Sequence, residues 1–195
     1  MKTCNFVLSG LGGQGILFMT KILAQTALNK GYNILGAETH GMAQRGGSVV
    51  SHLKIGDAGS SLIRAGAGDF LISMDEAETY RYLPWVRPGG MVFANASVDG
   101  FPDERVRPYL AEDQITAFAM EAGKTALELG APRSTNLAMV AFFAAFGQGP
   151  MEADALRQTV ASVSPDPVKQ VNLKIFDVCH EQGKNCAERS AHGIV

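Results

Sequence analysis

Two periodicities of hydrophobic and polar positions run along the chain, and together they predict an α/β fold. Short apolar or alternating segments are typical of β-strands, and they occur at residues 4–9, 33–37, 48–55, 69–74, 91–95 and, less distinctly, 112–118. Segments of helical periodicity occur at residues 14–29, 75–85, 120–129, 135–146, 151–163 and 167–181. The helix at 135–146 should begin at a Ser134 or Thr135 cap, and it is apolar nearly all round, which predicts burial.

The order of the first elements is strand, glycine turn, helix and strand, which is the opening of a βαβ unit. Such units build parallel sheets with helices on both faces. No linker or internal repeat divides the 195 residues, so we expect one domain over residues 1–183 and a loose tail over 184–195. The predicted fold is a single α/β domain with a mostly parallel sheet.

Composition and charge exclude several classes of protein. The chain is 46% hydrophobic and 18% charged with a net charge of −2, and no stretch is dense in Lys and Arg, so we expect no nucleic-acid partner. The longest apolar run, 137–146, is too short to span a membrane, and no export signal is recognisable, so we expect a cytoplasmic protein. Cys4, Cys179 and Cys186 form no metal-binding pattern; we expect Cys179 in the core and Cys186 exposed.

A glycine-rich turn after the first strand is the first candidate site. Gly10-Leu11-Gly12-Gly13-Gln14-Gly15 fits Gly-x-Gly-x-x-Gly at the start of a helix, as in a Rossmann-like domain. Glycine allows close approach of phosphates or of another backbone, and an acidic residue such as Glu38, after the second strand, would hold a ribose hydroxyl. The pattern leaves open a dinucleotide, another anion, a partner subunit or simple packing. The candidate ligand- or partner-binding residues are Gly10, Gly12, Gly13, Gln14, Gly15 and Glu38.

A second segment, rich in glycine and polar residues, follows the second predicted strand. Residues 38–48 read Glu-Thr-His-Gly-Met-Ala-Gln-Arg-Gly-Gly-Ser, and loops of this kind carry function more often than architecture. Arg45 could pair with a carboxylate or phosphate, or it could only tie the loop to its own domain, as could His40. The candidate catalytic residues are His40, Gln44 and Arg45, and the further binding candidates are Gly41, Met42, Gly46, Gly47 and Ser48.

Together, Gly-x-Gly-Gly-Gln-Gly and Glu-x-His-Gly-Met-Ala-Gln-Arg-Gly-Gly-Ser-Val resemble the gamma-type domain of the pyruvate/2-oxoacid:ferredoxin oxidoreductase family, and most closely its indolepyruvate branch. The resemblance extends to Val-Asn-Leu-Lys-Ile-Phe at 171–176, and the second segment makes it specific. It implies a small subunit of an enzyme that oxidatively decarboxylates 2-oxoacids such as aryl pyruvates to acyl-CoA and reduces ferredoxin.

The same resemblance implies where the cofactors lie. Thiamine diphosphate, Mg and iron–sulfur clusters would sit on a large alpha subunit, and this chain would bind none of them. The sequence agrees, because it has neither a cysteine cluster nor a Gly-Asp-Gly segment followed by Asn-Asn. Ferredoxin and CoA would be met through the complex, and the apolar helices favour a homodimer when the partner is absent.

Two other functions stay open from the sequence. The first is a stand-alone NAD(P)- or flavin-binding oxidoreductase that uses the glycine turn and Glu38, although little chain is left for a substrate domain. The second is a nucleotide-sensing or scaffold module whose apolar helix forms an interface. Three more residues have structural interpretations: His52 within a strand, and Asp75 and Glu76 as helix caps, although strand ends are also where such sheets bind ligands.

Overall fold

The fold is built around one six-stranded sheet, seen in a computed structural model that describes residues 2–40 and 46–191. The strands are β1 (Cys4–Leu11), β2 (Ile34–His40), β3 (Ser48–Ile55), β4 (Gly68–Ser73), β5 (Val86–Asn95) and β6 (Thr116–Met120), in the order β2-β3-β1-β4-β5-β6. The four strands β1, β4, β5 and β6 pair in parallel, whereas β3 is antiparallel to β2 and to β1. The predicted mostly parallel α/β sheet is therefore confirmed.

Helices cover both faces of this sheet, as the sequence predicts. They are α1 (Ile16–Asn29), α2 (Glu76–Tyr82), α3 (Arg107–Glu112), α4 (Ala122–Glu128), α5 (Thr135–Ala144), α6 (Ala153–Val163) and α7 (Asp166–Ala191). Successive residues of β1 point to opposite faces, because side chains alternate along a strand. Phe6 and Leu8 enter the larger core, which α1, α5, α6 and α7 cover, and Val7 enters a smaller core that also contains Leu83 and Leu110.

The helix α5 lies at the centre of the larger core. All residues from Asn136 to Ala144 are buried, which confirms the prediction from its apolar sequence. The Phe143 ring lies edge-on to Phe6 and Phe93 of the sheet, with centroid distances of 5.6 and 5.2 Å. Ser134 occupies the N-cap position, as predicted, but its hydroxyl does not cap the helix. Ser134 Oγ instead donates to Asn172 Oδ1 (2.8 Å) and so joins α5 to α7.

Several predicted boundaries are wrong. β5 begins at Val86 and not at Met91, and β2 continues to His40, so that Glu38 lies within the strand and not after it. Residues 112–118 do not form one strand: α3 ends at Glu112, and β6 begins only at Thr116, after a turn in which Gln114 has a φ of 53°. The chain after Gly183 is not a loose tail over residues 184–191, because α7 continues to Ala191. Gly183 lies where α7 packs closely against α5, since a Cβ at this position would lie 2.8 Å from the Phe142 carbonyl oxygen of α5.

Candidate functional site

The two glycine-rich segments meet at the carboxyl end of β1. Leu11 pairs with Ser48 at the last position of the β1–β3 ladder. Beyond it, Gly12 N donates to Gly47 O (2.8 Å), and Gly46 N donates to Gly12 O (3.3 Å). Segments that are more than thirty residues apart in sequence are thus joined backbone to backbone. We call Gly10–Gly15 and Gly46–Ser48, so joined, the glycine junction.

Part of the first segment stabilises the turn that the segment itself forms. Gln14 Oε1 accepts a hydrogen bond from Leu11 N (2.7 Å), while Gln14 N donates to Leu11 O (3.1 Å). A Cβ at Gly10 would lie 2.6 Å from Gln14 Oε1 and 2.9 Å from Met74 Cβ. The predicted binding candidates Gly10 and Gln14 therefore have a packing role in this structure, which is one of the alternatives that the sequence left open.

Gly15 connects the junction to the buried helix α5. It has a left-handed backbone with a φ of 79°, and Asn136 Nδ2 donates to its carbonyl oxygen (3.3 Å). A Cβ at Gly15 would overlap Asn136 Nδ2. Gly13 also has a positive φ of 100°, but a Cβ there would meet nothing within 4 Å. Gly13 is therefore the open tip of the turn, where another molecule can approach the backbone.

A buried polar cluster supports the second segment, and the sequence did not reveal it. Ser48 Oγ donates to Glu78 Oε2 (2.5 Å) and lies 3.1 Å from the Tyr82 hydroxyl. The Glu78 side chain is 4% exposed, and its other oxygen accepts from Arg81 Nε (3.0 Å). Glu78 comes from α2, thirty residues further along the chain, so no local sequence pattern links it to Ser48. The cluster holds the beginning of β3 against α2.

Asp75 and Glu76, at the end of β4, have structural partners. Asp75 is the N-cap of α2, and its Oδ1 accepts a hydrogen bond from Glu78 N (3.1 Å). Glu76 Oε1 accepts from the Tyr80 hydroxyl (3.0 Å). Asp75 therefore caps a helix, as one of the two sequence interpretations expected.

The arrangement does not support a dinucleotide on the junction. Strand β3 lies between β1 and β2, so Glu38, which is exposed on β2, stands about 10 Å from β1 across two strand spacings. In addition, the N–H groups of Leu11, Gly12 and Gln14 are all bonded within the protein and cannot cradle a phosphate. The βαβ pattern did not predict this, because it carries no information about the inserted antiparallel strand.

The remaining loop candidates stand as predictions. Gly41, Met42, Gln44 and Arg45 lie outside the described residues, and His40 is the last residue of β2. His52, by contrast, lies within β3, where it is 5% exposed and its Nδ1 accepts a hydrogen bond from Ile63 N (3.4 Å). Burial and the nearby Lys54 lower the pKa of the His52 imidazole. His52 therefore has a structural role, as expected.

The cysteines lie in apolar surroundings. Burial raises the pKa of the Cys4 and Cys179 thiols to about 12, and it also raises the pKa of Cys186. Cys179 is in the core, as predicted, whereas Cys186 is half-buried on α7 and not exposed. Within residues 2–40 and 46–191, no three His, Cys, Asp or Glu side chains come together in a way that could hold a metal ion. Over the same residues, no helix has the length and apolar character needed to cross a membrane.

Comparison with known proteins gives consistent matches. The family described as pyruvate ferredoxin/flavodoxin oxidoreductase matches residues 5–182. Indolepyruvate oxidoreductase subunit IorB of Pyrococcus horikoshii is 31% identical, over 91% of this chain and 95% of that protein. The same subunit of Methanothermobacter thermautotrophicus is 33% identical, over 88% of this chain and 93% of that protein. The fold resembles the gamma subunit of a keto/oxoacid ferredoxin oxidoreductase from Geobacter sulfurreducens, with a TM-score of 0.73, 21% identity, and coverage of 93% and 99% of the two chains.

Proposed function

Because the chain belongs to the pyruvate ferredoxin/flavodoxin oxidoreductase family, we propose that it is the small subunit of an oxidoreductase that acts on indolepyruvate or related aryl 2-oxoacids. The complex would convert the 2-oxoacid and CoA to acyl-CoA and CO₂ while reducing ferredoxin. Relatives named as indolepyruvate oxidoreductase subunits align over nearly their whole length, which supports this substrate class. The isolated chain would be inactive.

The observation that carries this proposal is the glycine junction. The two sequence segments that suggested the family are joined by backbone hydrogen bonds between Gly12 and Gly46–Gly47 at the carboxyl end of β1. Sheets of this type bind other molecules at that end of their parallel strands. The exposed tip at Gly13 and the exposed Gly46 leave the backbone accessible there. We therefore assign this end of the sheet as the surface that meets the large subunit, near the entrance for substrate or CoA.

Residues 38–45, which precede Gly46 of the junction, would carry the polar contacts. In this proposal Arg45 pairs with a carboxylate of the large subunit or with a carboxylate or phosphate of a ligand, because its guanidinium can donate two parallel hydrogen bonds. His40 and Gln44 would donate to substrate or to partner backbone, and Glu38 and Met42 would contribute to the same contact. The Ser48–Glu78 hydrogen bond supports this role by holding the chain at the start of β3.

We place thiamine diphosphate, Mg and the iron–sulfur clusters on the large subunit. The described part of this chain offers them no ligand set: its cysteines lie apart on β1 and α7, in surroundings that raise their pKa values and disfavour the thiolate that a cluster needs. This chain would act by binding and orientation, while the large subunit supplies the redox chemistry.

The composition of the purified complex tests the proposal. We would tag this chain, express it in its native host and purify it without oxygen. We expect a large subunit with iron–sulfur absorbance to copurify, and the complex to reduce ferredoxin or a viologen dye when indolepyruvate and CoA are both present. A colourless chain without a large partner, or a chain that carries a flavin, would contradict the proposal.

Replacement of Arg45 tests the assigned surface. Arg45→Ala should lower kcat/KM of the complex about tenfold to a hundredfold, because the loss of hydrogen bonds to a charged group usually reduces kcat/KM by about this factor. The matched control is Arg64→Ala, since Arg64 is an exposed arginine in the connection between β3 and β4. Equal activity of the two variant complexes would show that Arg45 makes no contact that turnover requires.

A further inference from the structure

The outer edge of the sheet at β2 is a surface without a strand partner in the described residues. β2 is the end strand, and it pairs with β3 alone. Natural proteins usually block such an edge with proline, a bulge or charged residues, especially lysine, since its backbone groups would otherwise pair with another chain. The β2 sequence, Ile-Leu-Gly-Ala-Glu-Thr-His, contains no proline or lysine and a single acidic residue, Glu38, and its pairing with β3 has no register shift. The edge is therefore open to another strand.

The pairing with β3 determines which backbone groups of β2 face outward. Gly56 N donates to Asn33 O (2.8 Å), so these two residues form a hydrogen-bonded pair directly before the first pair of the ladder. Bonded and non-bonded pairs alternate along an antiparallel ladder. Every second residue of β2 therefore bonds to β3, and the others direct N–H and C=O outward. The outward set is Ile34, Gly36, Glu38 and His40.

We propose that β2 pairs antiparallel with β2 of a second copy of this chain, about a two-fold axis at Ala37. In this register Gly36 stands opposite Glu38 of the other copy, and Ile34 stands opposite His40. Outward groups thus face outward groups, and each such pair can exchange both of its hydrogen bonds. Two six-stranded sheets would join into one continuous sheet.

Charge and size favour this register for a second copy. Glu38 faces Gly36, whereas a register shifted by two residues would oppose the two Glu38 carboxylates and would be repulsive. On the axis itself two Ala37 residues meet in a non-bonded pair, where Cα atoms approach to about 4.5 Å and small side chains fit. Leu35, which is 37% exposed, would be covered by Thr39 of the other copy, next to a cleft of about 690 Å³ that Leu28 and Tyr32 also line.

The dimer leaves the glycine junction accessible. From Ile34 to His40 a strand extends about 20 Å, so the two His40 residues lie that far apart at opposite ends of the paired strands. Each copy could therefore still bind a large subunit at its own junction, because the dimer uses only the backbone groups of Glu38 and His40. The dimer does not depend on the proposed reaction, so failure of one proposal is distinguishable from failure of the other.

Sedimentation equilibrium of the full chain over a range of concentrations tests the dimer. Gly36→Pro removes an outward N–H and no bond to β3, and the site accepts a side chain, because a Cβ there lies no closer than 3.7 Å to the His52 carbonyl oxygen. Gly36→Ala adds the Cβ but keeps the N–H. We expect wild type and Gly36→Ala to dimerise equally, and Gly36→Pro to raise Kd about tenfold or more, since each dimer loses two hydrogen bonds.

Cysteine cross-linking tests the register without proline. Ala37→Cys places two thiols on the axis within disulfide distance, whereas two Thr39→Cys thiols would lie about 14 Å apart. Under oxidation we expect a covalent dimer for Ala37→Cys, and neither for Thr39→Cys nor for wild type. The proposal would be overturned if the wild-type chain stays monomeric, or if a folded Gly36→Pro variant dimerises with unchanged Kd. It would also be overturned if Gly36→Pro impairs only the binding of the large subunit.

Discussion

The contact between Gly15 and Asn136 gives a prediction whose magnitude follows from the structure. Gly15→Ala puts a Cβ on a residue with φ of 79°, which costs about 1–2 kcal/mol for an L-residue. The same Cβ overlaps Asn136 Nδ2 and must displace it, so the hydrogen bond to Gly15 O is lost, at about 1 kcal/mol or more. We expect Gly15→Ala to lower the free energy of unfolding by about 2–4 kcal/mol.

The matched control is Gly13→Ala, which separates backbone conformation from contact. Gly13 has a φ of 100°, but a Cβ there meets nothing within 4 Å, so only the backbone term of about 1–2 kcal/mol applies. Urea denaturation of both variants gives the difference directly. In a chain of this length, each kcal/mol corresponds to about 2–4 °C in Tm.

A double variant completes the test. With Asn136→Ala already in place, Gly15→Ala should cost no more than Gly13→Ala, because the overlapping amide is gone. If Gly15→Ala and Gly13→Ala are equally destabilising in the wild-type background, the Asn136 contact contributes nothing and the reasoning fails.

Two other predictions concern buried polar groups. Ser48→Ala should lower the free energy of unfolding, measured by urea denaturation, by about 1–3 kcal/mol, because the buried Glu78 carboxylate loses one of its hydrogen-bond donors. A variant as stable as wild type would show that this hydrogen bond does not contribute to stability. The pKa of His52 is lowered from 6.5 in the folded state, so the unfolded chain binds the proton more readily, and His52 should reduce stability as the pH falls below about 6.5. NMR titration of His52 should find its midpoint below that pH, and His52→Gln should flatten the dependence of stability on pH; an ordinary midpoint would refute this.

Elements with strong local periodicity were predictable from the sequence. The strand at residues 48–55 has the predicted bounds, and α1 and α6 differ from prediction by two residues at their starts. The local pattern also identified α5 as buried, since no face of it is polar. Such features depend only on residues that are close together in the sequence, so the sequence pattern is sufficient to predict them.

Long-range pairing was not predictable in the same way. Nothing in the first strands indicated that β3 would insert between β1 and β2, and this insertion moves Glu38 away from the glycine turn. Ser48 and Glu78, like Gly15 and Asn136, come together only after the sheet and helices have packed. Gly183 was misread for the same reason: its contact with α5 is invisible locally, where glycine usually ends a helix.

The way in which the glycine junction closes determines where the β1–β3 ladder can begin to open. Gly12 and Gly47 form the next rung of the β1–β3 ladder after Leu11 and Ser48. Opening of the ladder from this end must therefore begin as fraying of the junction, and it can propagate inward only by opening successive rungs toward the core. The amide hydrogens of Gly46 and Gly12 are the first to be released, so their exchange with solvent would report the opening of the junction. Docking of another molecule against the junction would slow that exchange before any strand in the core changed.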